Sequence, residues 1–401
     1  MTNTAITDAE SGFARRYLVV PGLGVTQILA WGSSYYLLAV LAPVITRDTG
    51  WLLSWVVGGL SLGLLVAGAS SPLIGRLVQK HGGRPVLCAS SMLMAFGLCT
   101  ISAATTQSVY VGGWLVTGLG MGAGLYDAAF ATLGRLYGTG ARKAITNLTL
   151  FGGFASTVCW PFSAFLVEAY GWRNTCLVYA AIQLAICLPI HLLLIPRAPP
   201  LAVADSTKAA AAKASTYGLT FVLIASILSC TAIATSLLSV HLLTMLQARG
   251  FELAGAVALG ALIGPSQVGA RMVEWSFGSR YHPMWTMLAS VALIAAGINL
   301  LLFSAPLALV ALVLYGAGNG IGSIARGTLP LAVFGPGNYA GIMGKLAMPS
   351  LIAQAAAPSI GAALIEFGGT TLAMSALALL ALINCATALV LARLVWRPAI
   401  A

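Results

Sequence analysis

Charge is scarce in this sequence. Only 7% of its 401 residues are charged, 20 Lys and Arg against 9 Asp and Glu. A soluble globular domain carries about a quarter charged residues, so a surface covered by water alone is excluded. Phosphate-binding GxxxxGK[ST] is absent, so nothing points to ATP as an energy source. No pair of the seven cysteines (Cys88, Cys99, Cys159, Cys176, Cys187, Cys230, Cys385) forms CxxC. A disulfide framework and a metal site are therefore not expected, and no cofactor is. Histidine is rare too: His81 and His282 fall in expected loops, and His191 and His241 lie near expected span ends. They read as interface residues rather than proton relays. The polar start MTNTAITDAESGFARRY lacks the short apolar core of a cleaved leader, so the first apolar run is expected to serve as its own insertion signal. No cluster of His, Asp or Ser near an interface suggests an enzyme.

What is abundant is apolar sequence. Hydrophobic residues make up 59% of the chain, and the mean hydropathy is +0.95. A membrane-spanning helix needs about 20 predominantly apolar residues. Such runs recur at roughly 17–43, 52–77, 84–105, 109–137, 144–169, 173–196, 217–247, 253–278, 283–304, 306–334, 341–366 and 370–395, by that length criterion. The sequence predicts an all-α polytopic membrane protein of twelve spans. RAPPLAVADSTKAAAAKAST divides them, giving six-helix bundles over 1–196 and 217–401 and a linker over 197–216. The net charge of +11 does not indicate nucleic acid, because the basic residues cluster in short loops on one side. Arg15, Arg16, Arg76, Lys80, Arg84, Arg135, Arg142, Lys143, Arg197, Lys208, Lys213, Arg280, Lys345, Arg393 and Arg397 fall there, while the other side keeps Arg47, Arg173 and Arg249. The positive-inside rule then places both termini in the cytoplasm, and the membrane expected is the plasma (bacterial inner) membrane. A monomer is expected.

The halves repeat. Gly118, Gly120, Gly122 and Gly124 of "GLGMGAG" recur as Gly316, Gly318, Gly320 and Gly322 of "GAGNGIG", a displacement of 198 residues that also carries Pro85 onto Pro283. Glycine at such spacing lets membrane helices approach closely, and paired six-helix halves are a transporter architecture. Between spans two and three, "GRLVQKHGGRP" resembles the loop signature G-x-L-x-D-[RK]-x-G-x-[RK] of the major facilitator superfamily. Gly75, Leu77, Lys80, Gly82 and Arg84 match, and Gln79 replaces the aspartate. The resemblance covers essentially the whole chain. It implies the major facilitator fold, two pseudo-symmetric bundles, secondary transport and a gating role for that loop.

Four ionisable residues lie deep within spans: Asp127 in span four, Arg271 and Glu274 in span eight, Arg326 in span ten. Each costs about 2.5–3.5 kcal/mol at a helix centre, so such groups face a partner or a wet cavity. At helical spacing, Gly264, Gln267, Arg271 and Glu274 share one face. Asn319 and Arg326 share another on span ten, and Gln27, Trp31, Ser34 and Tyr35 a third on span one. Arginine offers a planar fork suited to a carboxylate. One reading makes Arg271 a carboxylate anchor assisted by Gln267, with Arg326, Asn319, Tyr35, Trp31 and Gln27 also lining the substrate site. The other makes Arg271–Glu274 and Arg326–Asp127 internal ion pairs. Asp127 or Glu274 is the candidate proton carrier. Lys345 is expected to snorkel to the interface, with a gating role as the alternative, and Gln354 to line a cavity.

Span eight resembles that of the monocarboxylate porter and oxalate:formate exchanger branch, in which an arginine binds the substrate carboxylate. Arg271 matches it, and Gln267 stands where many members have aspartate. The branch's acidic-Gly-Trp signature is absent from "RRYLVVPGLG", and its span-one lysine is absent from "QILAWGSSYYLLAV". The resemblance implies proton-coupled transport of a small organic anion. The alternative from residues alone is a proton-driven exporter of amphipathic or cationic compounds using Asp127 or Glu274. Partners are then a small-molecule substrate, protons and the lipid bilayer.

Overall fold

The computed structural model describes the backbone of residues 3–197 and 210–396, and helix dominates throughout. With no water in a bilayer core, a spanning segment must satisfy its own backbone groups, and helices do so. Among the described residues, nine continuous segments are long and apolar enough to cross a membrane. Two of these are too long for one crossing. Gln107–Leu194 has 88 residues and Tyr339–Trp396 has 58, about 130 and 87 Å at 1.5 Å per residue, against about 30 Å of hydrocarbon. They are interrupted at Gly138, at Gly171 and at Gly368–Gly369. Gly171 (φ 77°) and Gly369 (φ 70°) adopt the left-handed region that a side chain disfavours, so the chain reverses there. Division at these three places fits the twelve expected spans.

Contacts divide the chain into two compact units, Met1–Pro200 with Asn338–Gly344, and Leu201–Gly337 with Lys345–Ala401. The expected linker at 197–216 lies largely outside the described residues. Its alanine-rich end is already helix, since span seven runs Ala210–Gln247, as the strong helix propensity of alanine favours. The first turn of span eleven groups with the first unit because glycine permits close approach. A Cβ on Gly75 would lie 2.6 Å from the Ala340 carbonyl oxygen, and one on Gly344 would lie 2.3 Å from that of Ser71.

Inside each unit the glycine runs do the same work. A Cβ on Gly118 would meet the Gly63 carbonyl oxygen at 2.3 Å, and one on Gly316 would meet that of Ile263 at 2.8 Å. Gly122 faces the carbonyl of Ala67, and Gly320 that of Gln267. Ser90 Oγ donates to the Gly120 carbonyl at 2.7 Å, as Ser290 Oγ does to Gly318 at 2.8 Å. Spans four and ten therefore correspond at a displacement of 198 residues, but spans two and eight, and three and nine, at 200. The sequence match of Pro85 to Pro283 is corrected accordingly. Span three begins at Gly83 and span nine at Pro283, and two fewer residues separate equivalent positions of the third and fourth spans in the second half.

An arginine holds the chain just past the end of span three in the first half and the last turn of span nine in the second. Arg173 Nη2 donates to the Ala104 carbonyl at 3.1 Å, and Arg249 Nη2 to that of Leu302 at 2.8 Å. Terminal carbonyls of a helix lack partners within it, and cations near them are favoured. Asp48, near the end of span one, accepts from Trp172 Nε1 at 2.8 Å and from Arg173 Nη1 at 2.5 Å. Pro358 removes the N–H that would pair with the Gln354 carbonyl. Ser236 Oγ supplies the replacement donor at 3.0 Å.

Candidate functional site

Span eight is built from two helices, Leu253–Ala261 and Ile263–Phe277. Arg271 lies on the second and is only 6% exposed. Its Nε donates to the Gly320 carbonyl on span ten at 3.1 Å. The bond is possible because Gly320 has no side chain: a Cβ there would sit 2.4 Å from the Gln267 carbonyl oxygen. Gln267 itself is partly buried one turn before Arg271. Glu274 looks elsewhere, and its Oε1 accepts from Thr286 Oγ1 on span nine at 2.6 Å. The two charges that are close in sequence are thus directed to different neighbouring helices.

Arg326, partly buried on span ten, donates through Nη1 to Ser350 Oγ at 3.0 Å. Ser350 is fully buried on span eleven. Asn319 is partly buried, two turns before Arg326. Lys345 is exposed and Gln354 partly buried on span eleven. The second unit therefore holds Gln267, Arg271, Asn319 and Arg326 on spans eight and ten, helices that pack directly on each other.

In the first unit, Asp127 belongs to the first turn of Tyr126–Tyr137, a helix that starts part-way along span four after a break at Leu125. A helix start concentrates unpaired N–H groups and favours a negative charge beside it. Asp127 lines a small crevice with Ser71, Ile74, Gly75, Gly122, Ala128, Ala131 and Gly344. The half-to-half correspondence gives this crevice meaning. Ser71 is the counterpart of Arg271, Ile74 of Glu274, Gly122 of Gly320 and Ala128 of Arg326. Where the second unit has two guanidinium groups, the first has the Ser71 hydroxyl and the Ala128 methyl, with the Asp127 carboxylate one residue before Ala128.

The aromatic residues expected on span one are together. Trp31 meets Tyr35, Tyr36 and Tyr126 with ring centroids 5.5, 6.0 and 5.3 Å apart. Gln27 is fully buried, and its Nε2 donates to the Gly124 carbonyl at 2.6 Å. Ser34 turns back onto its own helix and donates to the Ala30 carbonyl. In the signature loop, Gly75 is a packing position, Lys80 is exposed, Arg84 is partly buried, and Gly82 (φ 81°) ends span two.

Sequence reasoning missed one buried network. His191 is 4% exposed, with Ser91 Oγ 3.0 Å from Nδ1 and Thr26 Oγ1 3.1 Å from Nε2. It is not the interface residue expected from its place near a span end. Thr26 also donates its own proton to the Leu23 carbonyl. The network ties spans one, three and six. Ser91 and Thr26 are seen as its partners only once those helices are packed.

A sequence profile of the Major Facilitator Superfamily matches residues 23–275, more than half of the chain. Mouse monocarboxylate transporter 11 is 32% identical over 162 residues, 38% of this chain and 34% of the relative. Human monocarboxylate transporter 2 is 29% identical over 131 residues, 32% of this chain and 27% of the relative. These alignments span about a third of the relatives' length or less. Among solved structures, the human organic anion transporter MFSD10 (TETRAN) superposes with a TM-score of 0.73 at 16% identity, covering 92% of this chain and 98% of that one. A structure of the E. coli fucose:proton symporter FucP gives 0.72 at 15% identity, covering 94% and 99%.

Proposed function

Since the chain belongs to the major facilitator superfamily, we propose that it is a secondary transporter, not an enzyme, that carries a small organic anion by alternating access. The favoured cargo is a monocarboxylate moved with a proton. Arg271 is its anchor. The first half packs spans two and four with Ser71 at the equivalent position, so this packing does not itself need an arginine. A guanidinium kept 6% exposed within a span, at the cost of about 2.5–3.5 kcal/mol that a central charge imposes, calls for a function. The bond from Nε to Gly320 fixes the plane of its fork, the geometry that bidentate carboxylate recognition requires. The monocarboxylate transporters among its relatives support the same cargo class.

In this reading Gln267, Asn319 and Arg326 assist on the second unit, and Gln27, Trp31 and Tyr35 line the substrate's path on the first. Asp127, in its crevice, carries the coupled proton, with Glu274 as the second candidate. The loop bearing Gly75, Lys80, Gly82 and Arg84 gates the cytoplasmic side of a plasma membrane. The test is uptake into proteoliposomes under an imposed pH gradient, with small carboxylates and small amines in parallel. Carboxylates should accumulate with the gradient, and Asp127→Asn should uncouple accumulation from it while exchange persists. Accumulation of amines alone would overturn the reading in favour of a cation exporter.

A further inference from the structure

Three helices of the first unit break near one another. Span one is interrupted between Gly32 and Leu37, span four at Leu125, and span five between Gly152 and Ala155. The breaks are in contact. Gln27 reaches the carbonyl of Gly124, and Trp31 meets Tyr126. A Cβ on Gly152 would strike the Tyr126 hydroxyl at 2.0 Å, and one on Gly32 would strike Cys159 Sγ at 2.1 Å. Broken membrane helices are tolerated where they are buried in protein or line a cavity, and transporters use them to build substrate sites.

Around these breaks stands a group of rings. Trp31 is bordered by Tyr35, Tyr36 and Tyr126, and Tyr36 meets Trp160 edge-on at 5.9 Å. Trp31, Tyr35 and Tyr126 are partly exposed and Trp160 is exposed, so the group is reachable from outside the unit. Beneath it lie two buried polar atoms without a hydrogen-bond partner, Gln27 Oε1 and Trp31 Nε1. The Gly124 carbonyl can only accept, so the amide nitrogen of Gln27 faces it and Oε1 is the atom left over. Such a buried acceptor costs about 1–3 kcal/mol while unmet. Gln27 and Trp31 are one helical turn apart, on the same face of span one. One atom needs a donor and the other an acceptor. A hydroxyl group can donate and accept at once.

We infer that this cluster is a subsite for an aromatic ring bearing a hydroxyl group. The ring packs among Trp31, Tyr35 and Tyr126, where offset and edge-on contacts are favourable. Its hydroxyl donates to Gln27 Oε1 and accepts from Trp31 Nε1–H. The inference rests on the carboxylate reading above, so the probes that test it are carboxylates with and without a hydroxyaryl ring.

The test is calorimetric binding to the purified full chain of three probes: propanoate, phenylpropanoate and para-hydroxyphenylpropanoate. Each step in that series should tighten binding about tenfold or more, since a site built around a hydroxyl discriminates against its absence. Trp31→Phe keeps the ring and removes the donor. It should erase the preference for the hydroxyl while phenylpropanoate still exceeds propanoate. Gln27→Met should act likewise, and if that variant fails to fold, Trp31→Phe decides alone. Equal affinity for the hydroxylated and plain rings in the wild type would overturn the inference, as would a preference that survives Trp31→Phe. Equal binding of all three probes would also overturn it while leaving the carboxylate reading intact. Absence of binding by any probe, or undiminished binding to Arg271→Ala, would bring down the carboxylate reading and the inference with it.

Discussion

The glycine that seats Arg271 offers a controlled perturbation, because the other half contains its counterpart. In Gly320→Ala the new Cβ would lie 2.4 Å from the Gln267 carbonyl oxygen and 2.8 Å from its Cα, both backbone atoms. Span eight must move away, and overpacking of this kind costs about 1–3 kcal/mol. The movement also lengthens the bond from Arg271 Nε to Gly320, a charge-assisted contact of the class worth about 1.5–3 kcal/mol. In Gly122→Ala the nearest atoms lie at 3.0 Å: the Ala67 carbonyl oxygen and the side-chain ends of Ile74 and Ser70. A shift of a few tenths of an ångström relieves that contact, and both variants gain about 1 kcal/mol of helix propensity. Gly122→Ala should therefore melt close to the wild type in a detergent thermal-unfolding assay, and Gly320→Ala clearly below both. Carboxylate affinity should fall about tenfold or more in Gly320→Ala alone, since displacing the anchor by the equivalent of about 1.4 kcal/mol is a factor of ten. Equal melting temperatures and equal affinities for the two variants would refute the reasoning.

Ser236→Ala removes the donor that replaces the missing Pro358 N–H at the Gln354 carbonyl. An orphaned carbonyl should cost about 1–3 kcal/mol, read as a lower melting temperature and faster amide exchange around Gln354. Arg249→Ala uncaps the Leu301 and Leu302 carbonyls at the end of span nine and should lower the melting temperature, with affinity for a carboxylate unchanged. Thr286→Val takes away the hydroxyl bonded to Glu274. If Glu274 is the proton carrier, the pH dependence of uptake should shift in this variant, and if Asp127 is, the profile should stay in place.

The helices were legible because lipid imposes one demand on every span, a run of apolar residues of sufficient length, and the composition meets it from end to end. The repeat was legible for the same kind of reason: at Gly118, Gly316, Gly318 and Gly320 a Cβ would come within 2.8 Å of a neighbouring helix's backbone, so glycine marks the close approach in both spans four and ten. The displacement of 200 that relates spans two and three to eight and nine was not legible. Nothing in the apolar text of those helices marks Ser71 as the partner position of Arg271. Arg271 itself stood out as a charge where lipid forbids one, but its seat on Gly320 depends on which helix lies beside it. Gln27 looked like a polar residue on an open face, whereas it is fully buried and bonded to Gly124. The breaks at Leu125 and at Gly153–Phe154 lie in sequence with no proline, and only the surrounding side chains fix where the helices give way.

The claim that everything else serves is the pairing of Arg271 with a carboxylate, and direct binding to three forms of the protein addresses it. Titration of the purified wild type, Arg271→Lys and Arg271→Ala with a small monocarboxylate at constant pH gives the answer. Lysine keeps the charge but lacks the planar fork and the Nε–H that bonds Gly320, so affinity should fall about 10- to 100-fold, and in Arg271→Ala further still, with melting temperatures confirming folded protein. Three equal affinities would contradict the account.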